Sequence, residues 1–205
     1  MMNFWDWFQI ASLILFLLIL TAKAVFLRTK AGVNPIAIGR GKKGFQLVFE
    51  IYAFLGLAVW MIEIMLRALK TPFRVLPSWI DVQLIDSPAA KVAGMLLVLL
   101  GFTIFTWAFY SFGNSWRVGF DTKTPGALVT SGIFALSRNP IYLFLDLWFV
   151  GVFLINGTLV FLVFALLALA HLHYQILREE KFLDELYGQP YQDYRSRTAR
   201  YFWIV

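Results

Sequence analysis

Polar side chains able to take part in a reaction are concentrated near the end of a chain that is otherwise mostly apolar. His171, Gln175 and Glu179 are spaced at i, i+4 and i+8, so they share one face of a helix. An imidazole, an amide and a carboxylate on one face indicate a polar ligand pocket, in which His171 is a candidate proton acceptor. The alternative is an interfacial histidine beside a solvated run of charges at 179–181.

A second polar stretch, residues 113–142, leads into the next apolar run. Asn139 is a favoured helix N-cap, and Pro140 suits the first helical position because its missing N–H is not needed there. The N-terminus of a helix attracts a carboxylate or a phosphate through its unpaired N–H groups. The stretch therefore predicts an anion site, although Asn139 and Pro140 would also be expected if they only started a helix.

Three acidic residues fall inside apolar runs, where acids are costly and often functional. Glu63 lies four residues before Arg67, so a structural ion pair is the expectation there. Asp146 shares a face with Tyr142 and would extend a polar cavity inward. For Glu50 the sequence leaves two readings open, a pocket wall or a side chain that reaches toward the membrane surface.

The composition indicates the class of protein in which these residues lie. The chain has 205 residues, of which 60% are hydrophobic and 15% charged, and its mean hydropathy is +0.71. These values indicate an integral membrane protein and exclude the soluble enzyme folds.

The absence of cysteine excludes disulfides and thiolate metal sites, and His171 and His173 at i, i+2 point apart, so no metal is expected. The net charge of +6 relates to topology and not to nucleic acid.

The fold class predicted is an all-α membrane protein with five transmembrane helices. Helix four is predicted to start at Pro140, and helix five to run unbroken from Leu159 to Tyr187 and stop at Gly188. Asn156-Gly157-Thr158 separates them as a tight hairpin turn. The apolar runs cover residues 8–27, 45–66, 92–112, 141–155 and 159–172. We expect residues 1–112 to form three transmembrane helices and residues 113–205 to form a catalytic region.

Basic residues are distributed unevenly over alternate loops. Of the 18 lysines and arginines, 14 fall on the side that carries the C-terminus and 4 on the other. Cytoplasmic loops are enriched in basic residues. The N-terminus is therefore predicted outside and the C-terminus in the cytoplasm.

Two segments in this order resemble the isoprenylcysteine carboxyl methyltransferase family and its prokaryotic relatives. They are LVTSGIFALSRNPIY at 128–142 and REEKFLDELYGQPYQDYRSRTARY at 178–201, and the similarity extends over about 113–201. The resemblance implies a cytoplasmic binding region for S-adenosylmethionine and a lipophilic or lipid-borne substrate. It also implies the cytoplasmic membrane of a bacterium or an archaeon.

Carried over by position, the resemblance implies a set of cofactor contacts: Gly126, Ala127, Leu128, Val129, Phe134, Asn139, Pro140, Ile141, Tyr142 and Glu179. The family's arginine for a substrate carboxylate is replaced by Gln175, which argues against a prenylcysteine carboxylate. Gln175 and His171 would instead receive a neutral amine, thiol or hydroxyl, with Arg138 as a further source of positive charge. These three are the candidate catalytic residues.

Two other functions remain open at this stage. Membrane sterol reductases resemble the same C-terminal region, so an NADPH-dependent reductase is one alternative, and a small transporter or assembly protein is the other. The methylated atom and the oligomeric state are not predicted.

Overall fold

The computed structural model describes residues 1–30, 44–113 and 127–202. These residues are mostly helical, and the β pairing within them is one isolated bridge between Gln83 and Thr158. The α-helices are α1 Phe4–Lys30, α2 Phe45–Ala68, α3 Pro88–Phe112, α4 Pro140–Asn156, α5 Leu159–Tyr187 and α6 Gln189–Arg197. Short 3-10 turns cover Ser78–Ile80 and Gly132–Ala135.

Four helices in the described ranges are long and apolar enough to cross a membrane, namely α1, α2, α3 and α5. The prediction of an all-helical membrane protein is confirmed. The fourth helix, α4, is apolar but has only 17 residues. At 1.5 Å per residue this is about 26 Å, slightly less than the roughly 30 Å of a hydrocarbon core.

Small residues allow α3 and α4 to approach closely. A Cβ added to Gly151 would lie 2.6 Å from Val98 Cγ2 and 2.7 Å from the carbonyl oxygen of Gly94. A Cβ at Gly101 would meet Phe144 at 3.2 Å. Membrane helices associate largely through such close packing, because lipid is as apolar as the helix surface. The small residues of the third span therefore serve the contact with α4.

Aromatic rings fill the interface that α1 and α2 share with this pair. Trp148 of α4 lies 4.8 Å from Phe16 and 5.1 Å from Trp60, measured between ring centroids. Phe144 stacks on Phe105 at 4.2 Å. Large rings contribute much contact area with few rotatable bonds. One core thus joins α1 to α5, and it holds α4 in place between the flanking spans.

Local signals for helix ends are confirmed. Helix α4 starts at Pro140, and α5 runs from Leu159 to Tyr187. Gly157 and Gly188 both have positive φ, 65° and 57°, which suits glycine because it lacks a Cβ. The hairpin turn is also braced from the opposite loop, since the N–H groups of residues 84 and 85 donate to the carbonyl oxygen of Gly157 at 2.7 and 2.9 Å.

The expected pair between Glu63 and Arg67 is present, but it is the weaker contact of each residue. Their closest N–O distance is 3.9 Å. Glu63 Oε1 accepts hydrogen bonds from the backbone N–H groups of Val75 and Leu76 at 2.7 Å each, while Arg67 reaches Asp81 at 2.7 Å. The buried acid of α2 therefore orders the loop that follows the helix.

Candidate cofactor and substrate site

Glu180 on α5 joins three separate segments of the chain. The residue is only 5% exposed, although it lies in a run of charged residues. It accepts hydrogen bonds from Arg138 Nη2 at 3.0 Å, Asn139 Nδ2 at 3.1 Å and Arg200 Nη2 at 2.9 Å. The turn before α4, helix α5 and the tail after α6 therefore meet at one carboxylate. We call these four residues the Glu180 cluster.

Arg138, a predicted catalytic residue, anchors the tail. Its Nη1 donates to the carbonyl oxygens of Arg195, at 3.0 Å, and Thr198, and its backbone N–H donates to that of Ala199 at 2.9 Å. The other two guanidinium nitrogens, Nε and Nη2, donate to the Glu180 carboxylate. The guanidinium thus fixes the path of the tail, and its predicted action on a substrate stays a prediction.

Asn139 occupies the N-cap position of α4, but its side chain does not cap the helix. Besides the bond to Glu180, Nδ2 donates to the carbonyl oxygen of Arg200 at 3.2 Å, an oxygen that also accepts from Ser137 Oγ. The residue therefore ties the tail to the start of α4. Pro140, the next residue, is buried at the first helical position, and Ile141 packs against the core.

Tyr142 and Glu179 form the second link between the two motifs. The Tyr142 hydroxyl donates to Glu179 Oε2 at 2.8 Å. Glu50 of α2 and Arg178 of α5 are close enough to interact electrostatically with this hydroxyl. A phenol on α4 and a carboxylate on α5 thus meet at this end of the bundle.

The predicted face of α5 continues from Glu179 toward α2. The His171 ring lies 4.7 Å from the Phe49 ring, and Tyr174 meets Phe49 edge-on at 5.4 Å. Gln175 is half-buried on the turn between His171 and Glu179. The structure therefore brings this face against Phe49 at one end and Tyr142 at the other.

The segment before α4 forms a short wall next to α3 and α6. Phe134 is buried edge-on against Phe112, at 4.7 Å between ring centroids, and its carbonyl oxygen accepts a hydrogen bond from the Tyr194 hydroxyl at 2.7 Å. Burial raises the pKa of Tyr194, so the hydroxyl stays a donor at neutral pH. Leu128 and Val129 are half-buried and Ala127 is exposed, whereas Gly126 lies outside the described residues.

A smaller polar group lies beside these contacts. His173 Nδ1 and the Tyr201 hydroxyl are 2.9 Å apart, and Asp146 of α4 is near enough to act on that hydroxyl electrostatically. Burial is the main cause of the raised pKa of Tyr201. In the described part of the chain, no three histidine, aspartate or glutamate residues are grouped as metal ligands.

Sequence reasoning missed Glu180, Arg200 and Tyr194 as organising residues. Glu180 and Arg200 lie within the second motif, but the resemblance assigned no role to them. One signal was present: neighbouring glutamates on a helix point about 100° apart, so only one of Glu179 and Glu180 can face Tyr142. The choice of Arg200 among the arginines of the tail has no local signal.

Part of this chain matches a known protein family. Residues 89–190, about half of the chain, match the family model described as phospholipid methyltransferase. That region of the chain belongs to the phospholipid methyltransferase family. The chain is also 31% identical over 111 residues to protein-S-isoprenylcysteine O-methyltransferase of Saccharomyces cerevisiae, which confirms the resemblance seen in the two motifs.

That match covers 53% of this chain and 46% of the yeast protein, so the chain spans about half the length of the curated relative it matches. The part that matches the methyltransferase family model contains Arg138, Tyr142, Glu179 and Glu180. Other contributors to the geometry lie outside that part, among them Phe49 on α2 and Arg200 in the tail.

Proposed function

We propose that this protein transfers a methyl group from S-adenosylmethionine to a lipophilic acceptor at the cytoplasmic face of the membrane. The observation that carries the proposal is the convergence of the two motifs. Tyr142 of the first bonds Glu179 of the second at 2.8 Å, and Arg138 and Asn139 bond Glu180. Membership of the methyltransferase family supports the same reaction class.

The donor set fits the cofactor, which combines a carboxylate, an ammonium, a sulfonium and an adenine ring. Two arginines share the single carboxylate of Glu180, so the Glu180 cluster carries a net positive charge beside the N-terminus of α4. The positively charged side of the site therefore suits the carboxylate of the cofactor. Glu179 suits a cationic group, and the half-buried residues 128–129 with Tyr142 offer apolar and aromatic surface for the adenine.

S-adenosylmethionine, when bound, supplies a methyl group activated by its positively charged sulfur. In-line displacement needs alignment and exclusion of water more than a dedicated base. Residues 128–142 and the tail after α6 form the wall that excludes water, and the Glu180 cluster holds these two segments together. Gln175 and His171 line the side facing α2, where we place the acceptor.

In the membrane, we propose that α4 serves as a short fifth span and that the C-terminus is cytoplasmic, with the N-terminus outside. Residues 1–112 then act as the scaffold and residues 113–205 as the catalytic region. The chain has no cysteine, so single cysteines report the topology cleanly. With the exposed serines as sites, S196C is expected to react with a membrane-impermeant maleimide only after the membrane is opened, and S78C from outside.

Cofactor binding tests the function directly. Purified protein in lipid nanodiscs is titrated with S-adenosylhomocysteine by calorimetry and then incubated with methyl-labelled S-adenosylmethionine and a lipid extract. We expect saturable binding and label in the lipid fraction. Thermal stabilisation by NADPH without any by S-adenosylhomocysteine would instead favour the reductase, and no response to either would favour a transporter or assembly protein.

A further inference from the structure

A lysine within the apolar span of α1 contacts the end of α3. The ammonium of Lys23 donates to the carbonyl oxygen of Phe109 at 3.1 Å and to that of Gly113 at 2.8 Å. The last carbonyl groups of a helix have no partner within the helix, and the negative end of the helix dipole attracts a cation. Lys23 therefore caps α3 from a neighbouring helix.

The protein itself supplies most of the partners of this ammonium. Two of its three N–H groups donate to the two carbonyl oxygens. Its Nζ atom also lies 5.9 Å from the centroid of the Phe26 ring and 5.8 Å from that of Phe109, within the range of a cation–π contact. These contacts favour a role in holding the end of α3 over a role in binding a free ligand.

The last turn of α3 is the surface on which the segment before α4 rests. Ser111 Oγ accepts a hydrogen bond from the backbone N–H of Ile133 at 3.3 Å. Gly132 approaches so closely that an added Cβ would lie 3.0 Å from Ser111 Cβ. Phe112, the neighbour of Ser111, meets the Phe134 ring edge-on at 4.7 Å. The position of this turn of α3 therefore determines where the 3-10 turn before α4 lies.

The two sets of contacts fall on the same turn of α3. Lys23 binds it at positions 109 and 113, and the 3-10 turn Gly132–Ala135 binds it at positions 111 and 112. Val129 packs against the same apolar cluster as Phe134, and both are predicted cofactor contacts. A shift at the end of α3 would thus displace the wall of the proposed cofactor site.

We propose that Lys23 is a positioning residue for the cofactor site, which it supports by fixing the last turn of α3. The inference rests on the proposed function for the identity of that site. It assigns a role to α1, a helix outside the residues that match the methyltransferase family.

The test compares two variants that remove the ammonium, K23M and K23Q, with one that keeps a cation, K23R. Binding of S-adenosylhomocysteine to each protein in lipid nanodiscs is measured by calorimetry. K23M and K23Q should bind about tenfold more weakly, because binding must then order the end of α3. K23R should stay within about threefold of wild type, since a cation still faces the carbonyl groups. Arg28 is an exposed cation on the same helix, so R28M is the matched control and should change nothing.

A double-mutant cycle with S111A separates positioning from a general loss of stability. S111A removes the acceptor of the Ile133 amide, so this amide should exchange faster with solvent in S111A and in K23M, and both variants should bind S-adenosylhomocysteine more weakly. Because both act through one turn of α3, the double variant should lose much less affinity than the product of the two single losses.

Three results would overturn the proposal: unchanged binding in K23M, no recovery in K23R, or losses that multiply in the double variant. Failure of the proposed function would look different. Wild type would then bind no S-adenosylhomocysteine, while the Ile133 amide would still exchange faster in K23M.

Discussion

Replacing Arg200 by alanine should loosen the tail while leaving the bundle folded. Arg200 donates from Nη2 to Glu180 Oε2 at 2.9 Å and from Nε at 3.1 Å. Arg138 still pairs with Glu180 in the variant, so the buried carboxylate keeps a counter-charge. The variant therefore loses one partner of a cluster without creating an isolated buried charge.

The size of the effect follows from the exposure of the lost group. Hydrogen bonds to charged groups contribute about 1.5–3 kcal/mol when buried, and exposed ion pairs about 0–1 kcal/mol. The Arg200 side chain is 29% exposed, so solvent screens it in part, and we expect the tail to lose about 2 kcal/mol. This corresponds to about a thirtyfold increase in the opening of the tail.

Hydrogen exchange measures that opening, because the backbone N–H of Arg138 donates to the carbonyl oxygen of Ala199 in the tail. In R200A the Arg138 amide should exchange about thirtyfold faster, and S-adenosylhomocysteine should bind more weakly in proportion to the loss of protein with a closed tail. Arg197 is exposed at the end of α6, so R197A is the control and should change neither quantity. Unchanged exchange in R200A, or equal acceleration in both variants, would refute the role assigned to the cluster.

Three further predictions concern other contacts. Y142F removes the donor to Glu179 and should weaken S-adenosylhomocysteine binding about tenfold by calorimetry, unlike Y110F at an exposed position; equal affinities would contradict the pairing. G151A should lower the unfolding temperature, because its Cβ would lie 2.6 Å from Val98, whereas G56A has open space and should be neutral; the reverse order would refute the close packing of α3 and α4. Burial raises the pKa of Tyr191 from 10.0 to about 12, so its contribution is complete below about pH 10 and is lost as pH rises through 12. Y191F should therefore gain thermal stability relative to wild type between about pH 10 and 12, and a constant difference over that range would exclude the linkage.

The helix ends were predictable because they depend on neighbouring residues. Pro140 starts α4 and Gly157 ends it, and Gly188 ends α5, each for a steric or hydrogen-bonding reason that acts within one turn. The capping role of Asn139 was the exception. Its side-chain oxygen makes no capping hydrogen bond, and its Nδ2 group donates to Glu180 and to the tail, so distant partners set the orientation of the amide.

The candidate site was predictable only in part. Tyr142 and Glu179 were both named from the sequence, and they do meet. The alternative of a solvated run at 179–181 is wrong for Glu180, since its carboxylate is buried among two arginines and an asparagine. Charged runs in a sequence do not reveal which members will be covered by a segment that folds back from the end of the chain.

The sequence by itself determined the membrane setting, the helix boundaries and the family, because apolar run length, helix breakers and motif spacing act over short stretches of chain. Only the tertiary structure decided which charges meet. Whether Glu50 faces lipid or the protein interior, and whether Glu180 faces water or Arg200, depends on how α2 packs on α5 and where the tail crosses α4. Those are choices of rotation and path between elements far apart in the chain, and they leave no periodic pattern in the residues themselves.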